Sequence, residues 1–262
     1  MRAFGQAIIP VKIFHHIIMF DKKMPKKKND KKPDIKTTTT KGRKKALPRK
    51  PGRPREDGDL REKILDHAEI VFADGGYLGS STRQIAVQAG VTQSLVRYYF
   101  STKDQLYREV FLRRGELLAA RRLELLDKLI ESNKSYDVDD VLMAYLEPQW
   151  DMKYDTEGGS SFVGLQARLH SEPEEQALRL RREIYDGPVK RYLSVLGPLL
   201  PHVPSHILSV RMSFLVGTYM YMLNDLGRIG DFTDGQVTSL DRHEMLKQLV
   251  SFLSAGLRAD PP

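Results

Sequence analysis

The 262-residue sequence predicts an all-α protein, and three observations carry that expectation. From Asp59 onward the apolar residues recur at helical spacing, and no alternating run is bounded by hairpin turns, so little strand is expected. Helix start signals (Asp, Ser or Thr followed three residues later by Glu or Gln) alternate with glycine stop signals. Two short helices are separated by a turn holding Gly90 and one further residue before the next cap, which is a helix-turn-helix layout.

Each element follows from its own residues. Asp59 is the expected N-cap of the first helix, with Glu62 as box partner and Ile64, Ala68, Val71 and Phe72 inward. Gly75 and Gly76 supply its left-handed termination. Ser81 caps a second helix that turns Ile85, Ala86 and Ala89 inward and stops at Gly90. Thr92 caps a third, and Ser101 a long fourth helix over 102–131. Further helices are expected over 137–149, 159–170, 173–197, 204–228 and 240–258, with Pro188 kinking or breaking its helix. The predicted organisation is a disordered basic tail over 1–58, a helix-turn-helix head over 59–106 and a larger regulatory and dimerisation body over 107–262.

Charge is distributed unevenly. Residues 22–55 hold 16 Lys/Arg against Asp30 and Asp34, a local charge of +14, so the other 228 residues carry −6 of the total +8. A solvated, polyanion-seeking arm is the expectation for such a stretch. The first 20 residues begin positive and apolar, but Pro10, Lys12, His15 and His16 break the run and no small-residue cleavage site follows. They are therefore set outside the fold. With no cysteine, disulfides, thiolate catalysis and cysteine zinc sites are excluded. No apolar run is long enough to span a membrane, and a cytoplasmic protein is expected.

The third helix raises the question of function. Val91, Val96 and Phe100 point inward, whereas Gln93, Ser94, Arg97 and Tyr98 fall together on the opposite side. A hydroxyl, an amide, a guanidinium and a phenol at a positive helix end suit the base edges and phosphates of double-stranded DNA. An ordinary solvated helix face has the same composition. What separates the two readings is the conjunction with the capped preceding helix, the tight turn and the basic arm.

Residues 61–106, REKILDHAEIVFADGGYLGSSTRQIAVQAGVTQSLVRYYFSTKDQL, resemble the head of the tetracycline-repressor (TetR) family of bacterial transcription regulators. Ile64, Leu65, Ala68, Phe72, Gly76, Tyr77, Ile85, Ala86, Ala89, Gly90, Val91, Phe100, Lys103 and Leu106 match that family's wording in order and spacing. The resemblance implies that Ser81, Thr82 and Arg83 touch phosphates and that Thr92, Gln93, Ser94, Leu95, Arg97 and Tyr98 enter the major groove. It places Lys103 on the DNA backbone. Arg97 departs from a common phosphate-contacting tyrosine, which makes that contact electrostatic or base-directed, and Thr102 replaces a common serine. Within the arm, RKPGRPRE over 49–56 looks like an AT-hook, a candidate minor-groove strip through Gly52, Arg53, Pro54 and Arg55. An unspecific basic linker is the alternative.

For the body, the resemblance implies a homodimer that encloses a small-molecule effector. Two apolar stripes are the candidates for a four-helix interface: Leu246, Leu249, Val250, Leu253 and Leu257 on the last helix, and Ile207, Val210, Phe214, Gly217, Met220 and Tyr221 on the one before it. Part of each stripe must also be intrachain core. Trp150, Phe162, Tyr185, Met212, Tyr219 and Met222 are the candidate lining of an apolar pocket for a hydrophobic or aromatic effector, with Arg168 or His170 as polar anchor. The same residues fit simple core. Nothing predicts an enzyme, a cofactor or a metal. Glu172, Glu174 and Glu175 suit a helix start, Pro204 separates His202 from His206, and phosphate-binding glycine loops and G-x-S-x-G are absent. The expected function is a ligand-responsive regulator, more a repressor than an activator. The alternative is an architectural DNA-coating protein that uses arm and head without an effector.

Overall fold

The computed structural model describes the backbone over residues 54–132, 134–169, 172–224, 228–237 and 241–262, with side chains from Gly58 onward. Among these residues the chain is all-α and forms eleven helices. Residues 51–262 form one compact unit, in which α1 (Pro54–Gly79), α2 (Thr82–Gln88) and α3 (Gln93–Tyr99) make up the part expected as the head, and α4 (Lys103–Glu131) leads on to the part expected as the body. The body holds α5 (Val138–Asp155), α6 (Gly159–Arg168), α7 (Glu174–Ile184), α8 (Asp186–Leu199), α9 (Ser205–Leu223), α10 (Arg228–Phe232) and α11 (Arg242–Arg258).

Several ends differ from the sequence expectation, for identifiable reasons. α1 starts at Pro54, so Asp59 lies inside it and is not its cap. Proline is pre-organised for a first helical position. Thr102, not Ser101, caps α4, its hydroxyl accepting from Gln105 N at 3.0 Å. α5 runs on to Asp155, past Pro148 and through the buried Trp150, whose indole N–H donates to Arg242 O at 3.0 Å. The stretch 173–197 divides into α7 and α8 at Tyr185. The break precedes Pro188 because a proline ring clashes with the carbonyl four residues back, and Ile184 is the last residue of α7. Pro188 then occupies the first turn of α8, where a missing N–H costs nothing. α9 stops at Leu223, and the five-residue α10 was not expected.

Two apolar clusters hold these helices. One joins Ile64, Phe72, Ile85, Val96, Phe100, Leu106 and Phe111 of the head side to Phe162 and Leu165 of α6 and to Leu180 and Ile184 of α7. The other packs Leu126, Tyr145, Trp150, Tyr192, Met212, Tyr219 and the apolar stripe of α11. α4 contributes to both, so a shift of α4 is felt at either end. At 29 residues it spans roughly 43 Å.

Gly76 kinks the backbone of the first helix. Its φ of 67° and ψ of −178° kink α1 in a region that essentially only glycine occupies. A Cβ there would also lie 2.8 Å from Glu172 Oε1. Gly75, the other expected terminator, has no positive φ. Gly90 (φ 64°) turns the chain from α2 to α3, and Val91 N donates to Ala86 O at 2.9 Å across that turn.

Candidate functional site

The head fixes its outward face from behind. Ile85, Ala86, Ala89, Val96 and Phe100 are buried, which anchors α2 and α3 against α1. Ser81 and Thr92 cap the two helices, accepting from Gln84 N and Leu95 N, each at 3.2 Å. Gln93 Nε2 then donates to Thr82 Oγ1 at 3.2 Å, which ties the first residue of α3 to the first of α2. Ser81, Arg83, Thr92, Gln93, Ser94, Arg97 and Tyr98 are exposed, Tyr98 at 77%. Its ring meets that of Tyr99 edge-on at 5.2 Å.

Two of the expected contact residues have partners within the chain. Leu95 is half-buried and packs on the head core, because it shares the inner side of α3 with Val91. Lys103 Nζ lies 4.4 Å from the Tyr77 ring centroid. Partial burial lowers its pKa, and Glu172 acts in the opposite direction. Gly52 and Arg53 of the arm lie outside the described residues, while Pro54 and Arg55 open α1.

The electrostatics of this face come directly from the sequence. Between Asp74 and Asp104 the chain has no acidic residue, only Arg83, Arg97 and Lys103 as charges. Neither α2 nor α3 has an acidic first turn, so both N-terminal ends stay positive. The face therefore offers donors, two caps and cations with no carboxylate of its own to repel a phosphate.

A second feature lies in the body, a cavity of about 700 Å³ among α4, α5, α6, α7, α8 and α9. Of the candidate lining residues, Tyr185, Met212 and Tyr219 face it, and the others do not. Trp150 is sealed in the body core by its bond to Arg242 O. Phe162 packs in the head-side cluster, 6.0 Å from the Phe111 ring. Met222 packs against the body core. Arg168 faces away and donates to Asp74 O at 2.8 Å. His170 lies outside the described residues.

Sequence reasoning missed the group at the inner end of the cavity. Arg122 of α4 is 2% exposed and lines the cavity with Tyr145 and Gln166. Its Nε donates to Tyr145 O at 2.8 Å and its Nη2 to Tyr219 Oη at 3.3 Å. The guanidinium carbon sits 3.9 Å from the Tyr145 ring centroid. The signal was present: Arg122 falls four residues from Leu118 and four from Leu126, both buried, so a cation occupies the apolar stripe of α4.

The two apolar stripes expected at a dimer interface differ in burial. Leu246, Leu249, Val250, Leu253 and Leu257 are all buried within the chain. On α9, Met220 is buried and Ile207 half-buried, whereas Val210, Phe214 and Tyr221 are exposed. Phe252 of α11 is exposed and lines a groove with Phe214, Thr218 and Gly256. Among the described residues no three His, Asp or Glu gather to hold a metal ion, and no helix is long and apolar enough to cross a membrane. His202 Nε2 lies 2.9 Å from Arg258 O.

Two family models match the chain. A family model described as bacterial regulatory proteins, tetR family, matches residues 64–110. A second, described as tetracyclin repressor-like, C-terminal domain, matches residues 143–256. The HTH-type transcriptional repressor KstR2 of Mycolicibacterium smegmatis is 30% identical over 77 residues, 29% of this chain and 38% of that relative's length. The match thus spans well under half of the curated relative. Among solved structures, the fatty acid degradation regulator FadR from Bacillus halodurans aligns with a TM-score of 0.52 at 18% identity, over 80% of this chain and 99% of its own. The hemolysin II transcriptional regulator HlyIIR aligns at 0.54 and 18% identity, over 76% and 98%. A TetR-family regulator from Bordetella parapertussis gives 0.54 and 18%, over 74% and 94%. At these identities the likeness concerns the fold.

Proposed function

The chain belongs to the tetracycline-repressor family of transcriptional regulators, and on that premise we propose that it is a cytoplasmic homodimer that represses from a palindromic operator until a small hydrophobic or aromatic effector enters the body cavity. The observation that carries the reading is the outward face of α3, where Gln93, Ser94, Arg97 and Tyr98 project from a 29-residue stretch, 75–103, that lacks carboxylates. In a two-fold dimer the two α3 helices would occupy successive major grooves, about one helical turn of DNA apart. Arg97 and Gln93 would read bases, with Ser81, Thr82, Arg83, Thr92 and Lys103 on phosphates.

The cavity supports the ligand-responsive half of the reading. Its wall includes Arg122 of α4, the helix that begins at Lys103 beside the reading face. An effector that binds better when α4 holds the heads at a spacing unsuited to the operator lowers DNA affinity by that difference. The exposed apolar residues of α9 and α11 support dimerisation through these two helices.

The test is selection of bound sites from random duplex DNA by the full chain and by residues 54–262. One palindrome recovered by both is the expected result. Recovery of only A·T-rich DNA, through the arm, would replace this reading with that of an architectural DNA-coating protein, which the +14 tail favours.

A further inference from the structure

We propose that the body cavity recognises a carboxylic acid with an apolar or aromatic body, and that Arg122 binds its carboxylate. The inference deepens the effector-site reading above and rests on it.

Arg122 is a cation at the bottom of a core. At 2% exposure it has lost its hydration, and a guanidinium does not escape that cost by deprotonating. Buried arginines are ordinarily paired with a carboxylate. Among the described residues Arg122 has none: its two partners are the neutral oxygens of Tyr145 O and Tyr219 Oη, and the Tyr145 ring covers one face. Two of its five N–H donors are used in this way, and three remain for an occupant. The planar fork matches a carboxylate in two parallel hydrogen bonds.

The neighbours supply further donors. Tyr219 Oη already accepts from Arg122, and Tyr185 Oη accepts from Gln166 Nε2 at 2.6 Å, so both keep their own protons to donate. Gln166 is held in turn by Gln149 Nε2, which donates to its Oε1 at 2.6 Å. The inner end is therefore rich in donors and built for an acceptor.

The carboxylates of the cavity wall make no ion pair with Arg122 and are engaged or solvated. Glu172 accepts from Tyr77 N at 2.8 Å, Asp186 faces Arg181 at 3.6 Å, and Glu174 is exposed at the start of α7. Leu169, Ala177, Val189, Met212 and Val216 also line the cavity and supply an apolar wall for the rest of the ligand.

Calorimetry on the full chain without DNA tests this, using straight-chain and aryl-substituted carboxylic acids graded in length, each paired with its primary amide. The best acid is expected to bind roughly 10- to 100-fold tighter than its amide. Arg122→Met should abolish that preference, the acid losing far more affinity than the amide, and amide binding that persists within roughly 10-fold of wild type shows its cavity intact. Should Arg122→Met bind neither, Arg122→Lys decides: keeping the charge but not the fork, it must still prefer acid to amide. The proposal is overturned if no acid binds, if acid and amide bind alike, or if Arg122→Met keeps the preference. Operator release is then measured separately. An acid that binds through Arg122 without releasing DNA overturns the regulator reading and keeps this one, and an amide that releases DNA as well as the acid does the reverse.

Discussion

The Tyr77 backbone N–H donates to Glu172 Oε1 at 2.8 Å, joining the kink of α1 to a wall residue of the body cavity. The contact exists because Gly76, one residue earlier, leaves space where a Cβ would meet the same oxygen at 2.8 Å. Burial, followed by the charge of Glu172, pushes the Tyr107 phenol upward, so one carboxylate influences Tyr77, Lys103 and Tyr107 together. Glu172→Ala should destabilise the chain by about 1–3 kcal/mol through removal of the charge-assisted bond. Gly76→Ala should cost on the order of 1–3 kcal/mol from backbone strain, plus the clash. Urea unfolding of both singles and the double checks the link. The double should cost less than the sum, because removing the carboxylate relieves the clash. Strict additivity would show that the two residues act independently.

The same hydrogen bond gives a functional expectation. If Glu172 transmits cavity occupancy to the head, Glu172→Ala should bind operator like the wild type in the absence of effector but lose less affinity when effector is added. Fluorescence anisotropy on a fixed operator, titrated with and without effector, reads both numbers. An unchanged effector response would place the transmission elsewhere, α4 being the alternative route.

For the reading face, Arg97→Ala should cost about 1–3 kcal/mol of operator affinity and relax specificity at the contacted base pair. Arg83→Ala should instead weaken all sequences alike, as removing a phosphate-binding cation does. Gln93→Ala also breaks the bond to Thr82 Oγ1, so it should loosen the α2–α3 geometry as well as forfeit a hydrogen bond to a base. Site selection repeated with each variant distinguishes these outcomes. An unaltered consensus with Arg97→Ala would mean that Arg97 does not read bases.

The head was legible because its signals are local. Caps, glycines and apolar spacing lie within a few residues of what they determine, and Ser81, Gly90 and Thr92 act where the sequence places them. The body was less so, because its cavity is defined by packing between distant segments. Trp150 and Phe162 looked like lining on residue type alone, yet each faces a core that no local pattern specifies. Arg122 was hidden for the opposite reason: on a charged helix, one more arginine stands out only when its neighbours four residues away are known to be buried. The α11 stripe looked like an interface because burial within a chain and burial between chains select the same residues.

The basic tail gives a salt-dependence prediction. Removing residues 1–53 keeps α1, which starts at Pro54, and deletes most of the +14 segment. Affinity should fall for every DNA sequence, and the slope of log K against log salt should flatten by about 0.9 for each phosphate that the tail no longer neutralises. Parallel salt titrations of the full and shortened chains measure it, and identical slopes would remove the tail from DNA binding.

The exposed aromatics of the last helices give the most direct test of assembly. Phe214 and Phe252 are 66% and 70% exposed, beside Val210 and Tyr221, so they contribute little to the chain's own core. Burying a phenylalanine is worth about 1.5–3 kcal/mol, and in a two-fold interface each side chain counts twice. Phe214→Asp replaces that gain with a carboxylate that must be desolvated on association. The variant should therefore sediment as a folded monomer, with thermal stability close to wild type at high dilution, and should lose affinity for a palindrome far more than for a half-site. A dimer that persists in Phe214→Asp and in Phe252→Glu would require another face. The buried α11 stripe would not qualify, since Leu246, Leu249, Val250, Leu253 and Leu257 are already committed within the chain.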